Sequence, residues 1–231
     1  DNNKGRQLQA TPKGYKFRLA LIANKEYSAK FGNTRVSVMA QMVNTMARVN
    51  GVFLRELGVM FELIADNDDL ICLGESDCTS ALLPNDSTII RNGLMRNFMI
   101  TRGVIGTEFD IGHSFTTGSG GSAYSPSLCS DTYFGTTGLP NPSGDSFDID
   151  YVSHEIGHQL LGHHSFRDCG SNINVKGAVE PGSGTTIMGY AGICGATNVQ
   201  SKSDPWFNSK NLEIMRNKVE SVTCGESFDT V

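Results

Sequence analysis

The stretch His154-Glu155-Ile156-Gly157-His158-Gln159-Leu160-Leu161-Gly162-His163-His164 holds four of the five histidines in a chain of 231 residues, with one glutamate between the first two. On an α-helix, residues four apart lie about 40° apart around the axis and roughly 6 Å along it, so His154 and His158 can aim their imidazoles at one point. That spacing, H-E-x-x-H, suits two zinc ligands on one helix face, with Glu155 beside the metal to act on a bound water. If the helix ran on, His164 would stand about 9 Å beyond His158, too far to share a zinc whose nitrogen ligands lie at roughly 2.0 to 2.1 Å. The chain must therefore turn. Gly162 offers a place, because glycine takes the left-handed conformation without a Cβ penalty. Three histidine nitrogens with a fourth position open to water form a catalytic arrangement, whereas structural zinc sites are closed by four protein ligands.

Around this stretch, Ile149, Val152, Ile156 and Leu160 recur at helical spacing on the face opposite His154 and His158, so one face packs and the other is left for chemistry. With 39% hydrophobic and 19% charged residues the chain can build one sizeable core, or one domain split by a cleft. A net charge of −5 without a basic run argues against a nucleic-acid partner and against a polybasic membrane anchor. No apolar run approaches the ~20 residues of a membrane span, and the first residues lack a signal-peptide core, so a secreted protein would have shed its signal. The six cysteines are even in number and form no C-x-x-C pair, which points to three disulfides and an oxidising, extracellular or periplasmic compartment.

In chain order, residues 1–14 are polar and predict a flexible tail. Tyr15 to Ala23 alternates and then becomes fully apolar, as a strand entering a core does. After Asn33 or Thr34 as cap, Met39, Met42, Val43, Met46, Val49, Phe53 and Leu57 mark the buried face of a long helix ended by Gly58. Val59 to Ala65 reads as a strand and Asp66 to Asp69 as an acidic turn, which lacks the Asp-x-Asp-x-Asp-Gly calcium pattern. Ile71 to Leu73 suggests a short strand, Asn85-Asp86-Ser87 is a glycosylation sequon, and Ser87 to Arg102 predicts a helix. Asp110 to Phe115 predicts a strand in which His113 is a polar sheet residue and not a ligand. Turn residues dominate from Gly135 to Asp145, with Asp145, Ser146 or Asp148 as caps of the metal-binding helix. Trp206 to Val222 reads as a closing helix. Strands interleaved with helices imply a sheet with helices packed on it.

These residues together resemble the metzincin zinc endopeptidases, most closely the reprolysin-like (adamalysin-like) branch with its bacterial secreted members, over roughly Tyr15 to Cys224. The ligand spacing of His154, Glu155, His158 and His164 is followed by Ser165-Phe166. Thr186-Ile187-Met188-Gly189-Tyr190 is similar to the Met-turn, whose methionine lies beneath the zinc. Gly121-Ser122-Ala123-Tyr124, with Cys129 five residues on, is similar to the edge strand that pairs with substrate. The order of Cys129, Cys169, Cys194 and Cys224 is similar to that of the family's disulfides.

The resemblance implies an α/β (α+β) catalytic domain: a twisted mixed sheet with long helices above a central active-site helix, and a smaller irregular C-terminal subdomain ending in a helix. Residues 15–231 would form that domain, divided near 162 and 163 into an upper and a lower part. It implies zinc on His154, His158 and His164, with Glu155 as base and Met188 as floor. Tyr190 would either donate to the transition state or approach the metal, or simply wall the pocket. It also implies the pairs Cys129–Cys224 and Cys169–Cys194, leaving Cys72–Cys78, out of the fifteen pairings that six cysteines allow. The expected activity is hydrolysis of peptide bonds in proteins or peptides by a secreted monomer, with calcium left open.

One departure bears on the turn. The family motif has its glycine where this chain has Leu161, and Gly162 follows one residue later. Either Leu161 keeps the turn at a strained position or the turn moves to Gly162, and His164 is expected on the metal with His163 facing solvent or the cleft. The alternative function is a zinc-bound but catalytically weak binding module.

Overall fold

The computed structural model describes residues 13–230 apart from 80, 92, 119 and 172. The expected tail therefore lies outside the described residues as far as 12, while Lys13 and Gly14 already belong to the first strand. The strands are β1 (Lys13–Ala23), β2 (Val59–Leu63), β3 (Ile111–Thr116), β4 (Gly120–Ala123), β5 (Gly135–Gly138) and β6 (Glu226–Asp229). The α-helices are α1 (Lys25–Lys30), α2 (Arg35–Leu57), α3 (Leu94–Thr101), α4 (Asp145–Phe147), α5 (His154–Gln159) and α6 (Ser209–Ser221). A π-helical segment, Asp148–Ser153, joins α4 to α5 without a break.

The sheet order is β2-β1-β3-β5-β4, with β1, β2, β3 and β5 parallel and β4 antiparallel at one edge. Parallel strands need both faces covered, and β1 shows why its sequence turns fully apolar. Phe17, Leu19, Leu21 and Ala23 enter one core with α2 and the helical run leading into α5, while Ala20 and Ile22 enter a second core with α3. Thr34 caps α2 by accepting a hydrogen bond from Ser37 N, and Gly58 closes it in the left-handed conformation at φ 65°. The methionine stripe packs as expected at Met42 and Met46, whereas Val43 is 48% exposed.

Several sequence expectations give way to tertiary structure. The helix expected from Ser87 to Arg102 is split into a 3-10 turn, Ser87–Ile90, and α3, with Gly93 left-handed between them. The span expected to be turns from Gly135 contains β5, fully buried and hydrogen-bonded on both sides. Its sequence, Gly-Thr-Thr-Gly, has no apolar period to reveal it. The residues expected to cap the metal-binding helix do not do so: the N-cap is Gly144, without a side-chain bond. The closing helix starts at Ser209 instead of Trp206, because Asn208 caps it through Asn211 N. Strand β6 was not anticipated; it pairs antiparallel with the first residues of β1. The sequon asparagine is engaged in the fold: Asn85 accepts from Asn24 Nδ2 and donates to Thr117 Oγ1, each at 2.9 Å.

Disulfides join Cys72 to Cys78, Cys129 to Cys224 and Cys169 to Cys194. Among the described residues no helix is long and apolar enough to cross a membrane. The Cys129–Cys224 bridge closes a loop of 95 residues and anchors the chain end beyond α6 to the segment after β4. A loop of that length confines the unfolded chain strongly, so replacing both cysteines by serine is expected to lower unfolding stability by about 2 to 5 kcal/mol. Denaturant titration of the variant against the parent measures this, and an unchanged midpoint would show that the bridge is not constraining the unfolded ensemble.

Candidate metal centre

The helical run of residues 145–159 lies between the sheet and the C-terminal third of the chain. Its apolar face, with Ile149, Val152, Ile156 and Leu160, is buried in the main core. His154, His158 and His164 converge on the other side, each offering a ring nitrogen within 4.8 Å of the others. No other histidine, cysteine or carboxylate joins this group among the described residues.

The turn between the second and third histidines is made at Leu161, which has φ 75°. Leu161 N donates to His158 O and Gly162 N donates to Gly157 O, both at 2.8 Å. These two bonds form the Schellman closure of a helix with leucine at the left-handed position where glycine is usual. The alternative in which Gly162 carries the turn is thus overturned. Gly162 serves space instead: a Cβ there would lie 2.8 Å from Gly157 O and 3.2 Å from Met215 Sδ.

Beyond the turn, buried Asn211 of α6 accepts from His163 N at 2.8 Å and donates to His163 O at 2.9 Å. This clamp on one residue's backbone points His164 back at the helix, while the half-buried ring of His163 stays outside the ligand group. Phe166 stacks on His164 with ring centres 5.0 Å apart. Asn211 stands four and eight residues before Met215 and Val219, and a polar residue on that buried helix face is the signal that could have found it.

Each helical imidazole is oriented by a carbonyl. His154 Nδ1 donates to Ile187 O at 2.7 Å and His158 Nδ1 donates to Gly162 O at 2.8 Å. A carbonyl can only accept, so both rings carry their proton on Nδ1 and present an Nε2 lone pair. Burial, reinforced by the neighbouring imidazoles, pushes His154 well below its ordinary pKa and His158 down to about 3, which keeps both neutral. His158 and His164 face each other at 3.0 Å between Nε2 atoms, close to the ~3.4 Å that separates nitrogens of a tetrahedral zinc site. Neutral, tethered imidazoles that converge with a third fit a zinc ion.

Met188, buried in the main core, packs against the helix that carries His154 and His158. A Cβ on Gly157 would come within 2.6 Å of its sulfur, so glycine there lets the thioether lie directly against the helix. The turn around Met188 is held by Glu180, whose carboxylate accepts from Thr185 N, Thr186 N and Thr186 Oγ1. Tyr190 lies with its ring 5.6 Å from that of His154 and 4.7 Å from that of His164.

Glu155 points to β4. A Cβ on Gly121 would come within 2.4 Å of both Glu155 Cγ and Oε1, so the carboxylate is pressed against bare backbone of the edge strand. Burial pushes the Glu155 carboxyl up to about 8. A cation bound beside it would favour the ionised form. Ser122 and Ala123 continue β4, and Tyr124, 38% exposed, packs on Tyr133.

Beneath the ligands lies a buried network that the sequence did not reveal. His113 lies within β3 as expected, fully buried, and its Nδ1 and Nε2 meet Gln159 Oε1 at 2.8 Å and Thr137 Oγ1 at 3.0 Å. Gln159 Nε2 donates to Gly112 O and Ser127 Oγ, each at 2.9 Å. The helix end next to His158 is thereby fastened to three segments of the sheet side. Burial lowers His113 to about 4, so it acts as a neutral linker.

A left-handed leucine costs roughly 1 to 2 kcal/mol that glycine would not. Leu161→Gly is therefore expected to raise unfolding stability by about 1 kcal/mol and to bind zinc at least as tightly as the parent, although glycine's own chain entropy offsets part of the gain. Gly162→Ala is expected to destabilise and to weaken zinc, because its Cβ must displace the Gly157 carbonyl. Thermal unfolding together with zinc titration checks the pair, and the reverse order of effects would contradict the assignment.

A model of the family described as Metallo-peptidase family M12B Reprolysin-like matches residues 11–217. No curated protein matches the chain. A solved structure titled "Structure of a chaperone-substrate complex" superposes with a TM-score of 0.49 at 12% identity, covering 90% of this chain and 34% of that one, so this chain spans about a third of it. A match over most of the sequence, on a chain whose three histidines converge, shows the family: the chain belongs to the reprolysin-like M12B metallopeptidases.

Proposed function

We propose that the chain is a zinc-dependent endopeptidase of the bacterial secreted type, in which Glu155 serves as the general base. The observation that carries this reading is the position of the Glu155 carboxylate, against the bare backbone of Gly121 and in a cavity that His154 also lines. His154, His158 and His164 would hold the zinc. When bound, zinc supplies a Lewis acid for the scissile carbonyl and lowers the pKa of water toward about 7. Glu155 takes a proton from the attacking water and returns one to the leaving amine nitrogen, work typically worth about 10² to 10⁴ in rate.

The substrate adds to the outer edge of β4, at Gly121, Ser122, Ala123 and Tyr124, where the sheet ends. Edge addition reads backbone and favours extended, unfolded segments. An antiparallel substrate strand would run from the Ala123 end toward the Gly120 end. Its residues before the bond would face the cavity by Ala123 and His164, and those after it the cavity by Gly121 and Glu155. Tyr190 borders the latter and is placed to donate to the tetrahedral intermediate, with Met188 fixing the floor. The cleft divides an upper part, about 15–162, from a lower part, about 163–231. Three disulfides support action in an oxidising compartment, and the molecule is proposed to work as a monomer without nucleic-acid or membrane partners. Calcium is not part of the mechanism proposed. The second reading, bound zinc without catalysis, was motivated by leucine at the motif's glycine; it loses that support because Leu161 makes the turn and the ligand group assembles.

Glu155→Gln is expected to keep close to one zinc per chain while cleavage of unfolded casein falls at least a hundredfold, since the side chain serves the water and not the metal. Full activity in that variant would remove the proposed base. Gly121→Ala should likewise retain zinc but lose most activity, because its Cβ must push the Glu155 carboxylate out of place. Metal analysis and a casein assay with and without chelator read both variants, and an unaffected Gly121→Ala enzyme would mean that Glu155 does not act from the position described.

A further inference from the structure

The cavity of about 400 Å³ that opens beside Glu155 is not lined by apolar groups alone. One wall is the metal-binding helix, where Asp150 and Tyr151 lie one turn before His154. The opposite wall comes from the segment after Met188 and from Ser201 to Ser203. Asp150 is half-buried and is held in place by Ser203 N, which donates to its Oδ1 at 2.9 Å. We infer that Asp150 makes this cavity a specificity pocket for a basic side chain of the substrate, arginine or lysine, at the position just after the cleaved bond. The inference rests on the endopeptidase reading.

Besides Glu155, assigned to the attacking water, two charges compete for the character of this pocket, and their mountings differ. The Asp150 carboxylate sits on a rigid helix within the wall. The Lys202 ammonium is on an exposed loop and reaches the rim, where it donates to Ser146 Oγ at 2.9 Å. Burial raises the Asp150 carboxyl more than the bond from Ser203 and the charge of Lys202 lower it, so the carboxylate remains under-compensated. A substrate cation entering the cavity would meet that fixed charge at reduced dielectric, whereas Lys202 can turn to solvent at little cost. The volume admits one long side chain, and Tyr151 and Ile193 offer apolar surface to its methylene stem.

The test uses the zinc-loaded protein and fluorogenic peptides that differ only in the residues flanking the scissile bond. Arginine or lysine after the bond is expected to raise kcat/KM about tenfold over leucine. Asp150→Asn, which keeps an acceptor for Ser203 N, should abolish that preference without losing zinc. Lys202→Ala, on the exposed rim, should increase it a few-fold. A preference for apolar residues in the parent, or a basic preference unchanged in Asp150→Asn, would overturn the inference. Absence of cleavage of every peptide would overturn the endopeptidase reading instead. In that event, binding of the same peptides, followed by fluorescence anisotropy, decides the pocket: tighter binding of the arginine peptide that disappears in Asp150→Asn supports it, and equal binding removes it.

Discussion

The left-handed backbone at Leu161 ends the helix that carries His154 and His158, and the metal centre depends on where that one residue sends the chain. Its Schellman bonds turn the Gly162 carbonyl onto His158 Nδ1 and start the segment that returns His164 to its partners. A leucine in this conformation is strained by roughly 1 to 2 kcal/mol. The strain is tolerated because the surroundings over-determine it: Asn211 clamps His163, two residues on, and Met215 closes against Gly162.

Close approach is the second theme. At three points the helix of His154 and His158 approaches its surroundings through a glycine: Gly157 against the Met188 thioether, Gly121 against the Glu155 carboxylate, and Gly135 beneath the His113 and Gln159 pair. At each point a Cβ would fall inside van der Waals contact. Bare backbone therefore sets the spacing of Met188, Glu155 and the sheet, and the Gln159 and His113 network then fastens the helix to the sheet. Rigid placement of this kind lets ligands act without reorganising when they bind.

Electrostatics follows from the same burial. Desolvation keeps His154 and His158 neutral, the form in which imidazole coordinates metal, and raises Glu155, the form in which a carboxyl waits for a neighbouring cation. A three-histidine group with a carboxylate beside it is thus self-consistent as a place for a dication.

The local sequence alone placed His154 and His158 on one face, because H-E-x-x-H on an amphipathic helix fixes geometry through the 3.6-residue period, and the structure brings His164 to them. It also specified the buried face of α2 and the strand character of β1, both of which rest on periodic burial. Resemblance added the disulfide pairs and Met188, which no period encodes. The rest is decided by contacts between distant segments. Gly135–Gly138 is a strand because β3 and β4 offer it hydrogen bonds, not because of its side chains. His113 and Gln159 meet across 46 residues, and Asp150 faces a cavity whose other wall is some 50 residues further along the chain. Leu161 carries the turn, although intrinsic backbone preference favours Gly162, because the space beside the Gly157 carbonyl admits no side chain at 162. Local preference ranks the candidates for such a position, and packing chooses among them.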